Sequence, residues 1–295
     1  MPGSSPVKEI QLRTSQGRLA GLRWPSQDGP RVLCLHGWLD NAASFVPLAP
    51  LLGPLDLLAI DLPGHGHSEH RHATSRYHFI DYLFNVDAAL DALGWRDCHL
   101  LGHSLGAAIA SAYAAGAPER VRSIVLLDTM GPVSVSAECT AERLRRSLTK
   151  NRHGASRTRR FDSIDDMVKA RRLISGMTPD AARLICERAS RKVGEQFEWR
   201  SDPALNWVSS LVMTDEQALD LIRNISSPVL TFTTTPDSPW ASREKLEKRR
   251  RSMKHSLHET LEGTHHFHMD VPAKIAKTIR EFIIENDTPP NEGSS

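Results

Sequence analysis

Cys98-His99-Leu100-Leu101-Gly102-His103-Ser104-Leu105-Gly106-Ala107-Ala108 decides how the rest of the chain is read. A short apolar run enters Gly-x-Ser-x-Gly, and a helix of small residues (Ala107, Ala108, Ala110, Ala112) leaves it. Strand, sharp turn and helix in that order form a nucleophile elbow. The turn holds Ser104 at a strained backbone angle, so that its hydroxyl stands clear of the sheet. Glycines two residues to either side remove the Cβ atoms that would collide where strand and helix converge.

Other apolar runs repeat this strand pattern on both sides of the elbow. Arg31 to Leu35, Leu55 to Ile60, Val121 to Leu127 and Pro228 to Thr234 each end in turn residues or an aspartate. They show little polar alternation, which fits strands buried on both faces of a parallel sheet. Helical patterns lie between them. Tyr77 to Leu93 carries a stripe of Ile80, Leu83, Phe84, Leu90 and Leu93, and Val271 to Ile284 is a closing amphipathic helix. Alternation of this kind predicts an α/β fold with right-handed crossovers. Val7 to Leu12 and Arg18 to Trp24 add an antiparallel hairpin turning at Gln16-Gly17.

The alternation stops between Pro132 and Ser227. That stretch reads as helices with no strand: Ala141–Lys150, Ile164–Ile174, Pro179–Arg191 and Asp215–Ile222. Because strands resume after it, residues 132–227 are expected to be a helical cap inserted into a core of residues 7–131 and 228–286. Residues 287–295, rich in Pro, Asn, Gly and Ser, are expected to form a flexible tail.

A serine hydroxyl needs a general base, oriented by an acid, to attack at neutral pH. On a strand–elbow–helix framework the order along the chain is serine, acid, histidine. The base belongs in the loop before the last helix, where Gly263-Thr264-His265-His266-Phe267-His268 stands. His265 is the first choice because Gly263-Thr264 makes a turn that projects it. His266 is the alternative, and His268 fits a supporting or packing role. The acid belongs at a strand end. Asp237, after Thr235-Pro236, is preferred, and Asp128, after the preceding strand, is the competitor. An oxyanion needs two converging backbone N–H groups. Leu105, next to the serine, supplies one, and Trp38, in the loop after Leu35, supplies the other. The Trp38 side chain either walls the pocket or packs in the core.

The set His36-Gly37-Trp38-Leu39-Asp40-Asn41-Ala42-Ala43-Ser44-Phe45, then Asp61-Leu62-Pro63-Gly64-His65-Gly66-His67-Ser68, then Gly102 to Gly106, resembles the α/β-hydrolase superfamily. More narrowly it is similar to the serine hydrolase-like protein group. Leu126-Leu127-Asp128-Thr129 and Gly263-Thr264-His265 extend the resemblance over most of the chain from Val32 to Phe282. It implies a Ser–Asp–His arrangement, with Ser104 and His265 matching the motif and Asp237 matching by place alone. It implies a reaction type more than a substrate.

Composition bounds what remains. The chain has 295 residues, 40% hydrophobic and 24% charged, with no apolar run long enough to span a bilayer. Its 37 basic and 35 acidic residues give a net charge of +2, too balanced to argue for nucleic acid. The balance is a cancellation: residues 141–200 hold 16 Lys/Arg against 8 Asp/Glu. The arginine pairs there (Arg145-Arg146, Arg159-Arg160, Arg171-Arg172) suggest either steering of anionic substrates or a solvated face. Lys245 to Lys254 reads as an exposed basic helix without the aromatics that nucleic-acid binding wants. Cys34, Cys98, Cys139 and Cys186 are widely spaced and are read as free thiols in a reducing, cytoplasmic setting, with no signal peptide. His65, His67, His70, His72 and His78 are read as part of a glycine turn and its surroundings, so no metal and no organic cofactor is expected.

The expected reaction is hydrolysis of a small-molecule carboxylic ester through an acyl-enzyme on Ser104, by a chain that is a monomer or a dimer. Two alternatives stay open. One is a thioesterase or C–C bond hydrolase with the same residues, and the other is a non-catalytic binding protein on the same fold.

Overall fold

Apolar runs that cannot face water on either side form the central strands of a computed structural model that describes residues 6–152, 159–235 and 243–287. The first half contains β1 (Lys8–Thr14), β2 (Gly17–Trp24), β3 (Arg31–Leu35), β4 (Asp56–Ile60), helix α1 (Asp81–Leu93), β5 (Cys98–His103), α2 (Leu105–Gly116) and β6 (Val121–Leu127). An intervening segment follows, with α3 (Thr140–Lys150), β7 (Arg160–Phe161), α4 (Ile164–Ser175), α5 (Pro179–Ala189), β8 (Ser190–Val193), β9 (Gln196–Trp199) and α6 (Asp215–Arg223). The chain closes with β10 (Val229–Thr235), α7 (Arg243–Ser252), β11 (Ser256–Glu262), the short α8 (Phe267–Asp270) and α9 (Ala273–Glu285).

Eight strands make one sheet in the order β1-β2-β4-β3-β5-β6-β10-β11. The β1–β2 and β2–β4 pairs are antiparallel, and the pairs from β4 to β11 are parallel. Alternate residues of the central strands feed two cores. Leu33, Leu35, Leu100 and Leu126 pack with α1 and α2, while Val32, Cys34, Leu101, Val125 and Phe232 pack with α9. Both faces are covered, as a parallel sheet requires.

The structure changes several expectations. In α1 the buried face is Tyr82, Val86, Ala89 and Leu90, spaced i, i+4, i+7 and i+8. Phe84 and Ile80, expected on the buried stripe, are exposed. The intervening segment is not purely helical, because β7, β9 and β8 form a separate three-stranded antiparallel sheet. These strands are two to four residues long, polar and only partly buried, so they carry no apolar run to betray them. The expected helix to Arg191 ends at Ala189, and the chain turns at Gly194 (φ 62°). Strand β11 also lacks an apolar run, since it is a half-buried edge strand.

The basic helix α7 is not exposed throughout. Arg249 is buried and donates to the carbonyls of Met130, Gly131 and Pro132 and to Ser134 Oγ. It thereby ties down the chain as it leaves β6. At the C-terminus Asp287 is held by His99 (3.2 Å) and by Arg122, so the expected tail does not begin there, and residues 288–295 lie outside the described ones. Among the described residues, no helix is long and apolar enough to cross a membrane.

Candidate active site

Ser104 joins β5 to α2 at φ 50° and ψ −112°, a conformation that L residues rarely adopt. Its neighbours explain how the chain tolerates it. A Cβ on Gly102 would sit 2.4 Å from the Gly106 carbonyl oxygen, and one on Gly106 would sit 1.9 Å from the Leu35 carbonyl oxygen. Both positions exclude a side chain, so β5, α2 and β3 approach backbone to backbone. The strain is held by bonds on both sides: Ser104 N–H donates to the Leu127 carbonyl (3.0 Å), and the Ser104 carbonyl accepts from Ala108 N–H (3.0 Å). Leu105 opens α2, where the first amides have no acceptor inside the helix.

His265 lies in the loop between β11 and α8. Thr264 fixes that loop: its hydroxyl donates to Asp270 Oδ2 (2.6 Å) and accepts from His266 N–H (3.1 Å). His265 Nδ1 donates to Asp128 Oδ2 at 2.5 Å. Asp128 ends β6 at φ 56°, is buried, and uses its other oxygen to accept from the backbone N–H and hydroxyl of Thr234, both at 3.0 Å. The carboxylate is thus pinned by β10 on one side and offered to His265 on the other. Asp237, preferred from the sequence as the acid, lies outside the described residues. The competitor, Asp128, is in contact with His265.

His266 and His268 are buried in different contacts. His266 Nε2 donates to Asp40 Oδ2 (3.2 Å), and His268 Nε2 shares a 2.7 Å hydrogen bond with Ser44 Oγ. Burial holds the pKa of His268 well below the usual histidine range. Trp38 follows β3 in a turn closed by Asp40 N–H on the Gly37 carbonyl (3.1 Å). Its side chain is 44% exposed, which removes the core-packing reading.

Sequence reasoning passed over two residues. His103, the variable position of Gly-x-Ser-x-Gly, donates from Nε2 to the His265 carbonyl (2.8 Å) and is fully buried, with its pKa lowered to about 4 by that burial. Asp40 receives His266 and, on its other oxygen, Arg171 of α4 (2.5 Å). The only earlier sign of either was its place inside a motif. Asp61 plays a matching part: it is fully buried and accepts from Ala42 N–H (2.7 Å), His67 N–H (2.8 Å) and Arg188 Nε (3.0 Å). Arg188 also meets Glu9 of β1 (2.5 Å). Two arginines of the basic segment are therefore neither solvated nor free to steer a substrate, while Arg145, Arg146, Arg159 and Arg160 are exposed.

The first histidine of the tract, His65, packs against His36, with ring centroids 5.0 Å apart. His36 takes one tautomer, donating from Nδ1 to the Gly37 carbonyl (2.7 Å) and accepting from Leu62 N–H at Nε2 (2.9 Å). His65 is buried beside it, with its pKa lowered to about 3, mainly by burial. Among the described residues, the grouping of metal-donor side chains is instead Asp40, His103 and His266.

Comparison with known proteins gives the family and the fold. A family model described as the alpha/beta hydrolase fold matches residues 30–270. A serine hydrolase-like protein of Danio rerio is 30% identical over 294 residues, covering 94% of this chain and 88% of the relative. An esterase of Mycobacterium tuberculosis is 33% identical over 168 residues, covering 57% of this chain and 54% of that one. The crystal structure of a hypothetical protein from Pseudomonas aeruginosa PAO1 is 31% identical, with a TM-score of 0.88 and coverage of 95% and 100%.

Proposed function

This chain belongs to the α/β hydrolase fold family, and from that premise we propose that it is a serine hydrolase cleaving small carboxylic esters through an acyl-enzyme on Ser104. One observation carries the reading: the 2.5 Å bond from His265 Nδ1 to a buried Asp128, within a fold whose elbow holds Ser104 at positive φ. Because Nδ1 carries its proton toward Asp128, the lone pair of neutral His265 is on Nε2, the nitrogen that acts as the base.

His265 Nε2 takes the proton from Ser104 Oγ as that oxygen bonds to the ester carbonyl carbon. The carbonyl oxygen gains the negative charge and is held by the N–H groups of Leu105 and Trp38. When the intermediate collapses, the C–O bond to the alcohol breaks and the alcohol leaves with the proton from His265. Water then attacks the acyl-enzyme, giving its proton to His265, and the Ser104 oxygen departs with that proton as the acid is released. Asp128 keeps the histidine in the required tautomer and stabilises its cation. We assign the acid role to Asp128 in place of Asp237 on this bond. Residues 132–227 act as a cap: α5 bonds through Thr178 to Asp270 (2.7 Å), whose other oxygen orients Thr264 beside His265.

The esterase relative supports ester substrates, and a graded series of p-nitrophenyl esters and matched thioesters tests that class. Turnover of the esters is expected, with one phosphonate adduct per chain, on Ser104. Ser104→Ala should lower kcat by about 10⁴-fold or more. Unchanged turnover in that variant would overthrow the mechanism. No turnover and no adduct would return the chain to a binding role.

A further inference from the structure

Asp40, His103 and His266 bring one carboxylate oxygen and two imidazole nitrogens to within 4.8 Å of one another, at a place the proposed reaction does not use for bond-making. All three residues are buried. Asp40 Oδ2 lies 3.5 Å from His103 Nδ1 and 3.2 Å from His266 Nε2. Donors on a tetrahedral zinc ion, with bonds of about 2.0–2.1 Å, stand about 3.3 Å apart. Two edges of that tetrahedron are already present.

The hydrogen bonding leaves the contact incomplete. His103 Nε2 carries a proton, because it donates to the His265 carbonyl. In the neutral ring Nδ1 is then a bare lone pair, and it faces a carboxylate oxygen. His103 Nδ1 is buried and makes no hydrogen bond. Two lone pairs held face to face repel unless a cation lies between them. Gly37 leaves that space open: a Cβ there would come within 2.8 Å of Asp40 Oδ2 and 2.9 Å of His103 Nδ1.

The surroundings have the form that metal ligands need. A ligating histidine usually donates its second N–H to a carbonyl or carboxylate, and ligating carboxylates are themselves hydrogen-bonded. His103 has the His265 carbonyl, and Asp40 has Arg171 on Oδ1. His266 Nε2 donates to Asp40 Oδ2 without the ion, so binding moves that proton to His266 Nδ1, which is buried and makes no hydrogen bond to the chain. We propose that Asp40 Oδ2, His103 Nδ1 and His266 Nε2 form a binding site for a divalent transition ion of the zinc class, with a water completing the coordination. Two imidazoles and one carboxylate select Zn²⁺, Co²⁺, Ni²⁺ or Cu²⁺ over Mg²⁺ and Ca²⁺. The ion is a regulator, not a reagent. The ring centroids of His103 and His266 are 4.7 and 5.3 Å from that of His265, so a bound ion stands next to the positive charge His265 takes up during turnover and slows it. That slowing rests on the proposed role of His265, whereas the binding rests on the donor geometry alone.

Calorimetric titration of the full chain with Zn²⁺, paired with visible spectra on adding Co²⁺, tests the site without using activity. One ion per chain is expected, with Co²⁺ giving the intense bands of low coordination number. Asp40→Asn and His266→Gln should each weaken Zn²⁺ at least 10-fold. Cys139→Ser, which removes the exposed thiol, should leave the affinity unchanged. In the unsubstituted protein Zn²⁺ should shift the His103 and His266 imidazole ¹⁵N resonances, a readout that survives if a variant fails to fold. Absence of saturable binding, unshifted resonances, or binding lost only with Cys139 would overturn the proposal. Ester turnover that falls on the same Zn²⁺ scale and returns with chelator supports the regulatory part. Binding without any fall overturns that part and leaves the site.

Discussion

Helices α2 and α3 differ by one residue in length and are held by different physics. α2 buries every residue from Gly106 to Ala114, carries no charge, and lies against the sheet where glycines let backbones touch. α3 buries only Ser147 and is otherwise charged or exposed. The contrast runs through the two regions they belong to. The sheet region gains stability by removing apolar surface from water at close approach. The intervening segment has a small core of its own, Phe161, Met167, Val168, Met177, Ile185 and Cys186, joined by Met269 of α8. It meets the sheet region through buried polar bonds: Arg171 to Asp40, Arg188 to Asp61 and Asn41 to the Ile185 carbonyl (2.9 Å). The lesson is one of tolerance. An apolar interface degrades gradually, whereas a buried ion pair fails when one partner is lost.

The comparison can be broken most sharply at the sheet. Asp128→Asn keeps the shape of the site and removes the charge that faces His265. It should lower kcat by about 10³–10⁴-fold, with Asp237→Asn within about 10-fold of the parent. Steady-state kinetics on one ester decides it, and the reverse ranking would return the acid to Asp237.

The junction gives the next largest effect. Arg188→Ala leaves Asp61 buried without its cation and should cost about 3–5 kcal/mol in chemical denaturation. Asp61→Asn added to it should recover part of that loss. A loss below about 1 kcal/mol would mean that the intervening segment is held by its apolar contacts.

The mildest test uses pH on the sheet region. Burial lowers the pKa of His65 to about 3 and of His99 to about 4, against an ordinary value near 6.5. Between those values the unfolded chain binds protons that the folded chain refuses. Stability therefore falls as pH drops from about 6.5 toward 4 and is unaffected by these groups above 6.5. Denaturation midpoints at pH 7.5 and 5 should differ in that direction. Equal midpoints would show that these two rings take up protons in the folded state.

Legibility followed the same division. Strands β3, β4, β5, β6 and β10 were readable because burial on both faces demands unbroken apolar runs. Ser104 and the loop bearing His265 were readable because glycine spacing and chain order leave few choices. Strand β11 and the small β7-β9-β8 sheet escaped, since half-buried polar strands resemble loops in a single sequence. The stripe of α1 differs because Ile80 precedes the helix, which begins at Asp81, and because packing on β1 and α2 buries the face of Tyr82, Val86, Ala89 and Leu90, leaving Phe84 outside it.

The sequence by itself determined the α/β class, the elbow at Ser104, the histidine loop and the excess positive charge of residues 141–200. Each follows from local rules: periodicity, steric demand at a turn, and composition. Tertiary structure alone showed that Asp128 touches His265. Position along the chain offers Asp128 and Asp237 alike, because both follow strands, and it cannot say where a carboxylate is turned. It also decided that Arg171 and Arg188 are buried partners of Asp40 and Asp61, and that Asp40, His103 and His266 meet. Those residues are separated by up to 226 positions, and only the closing of the sheet brings them within reach.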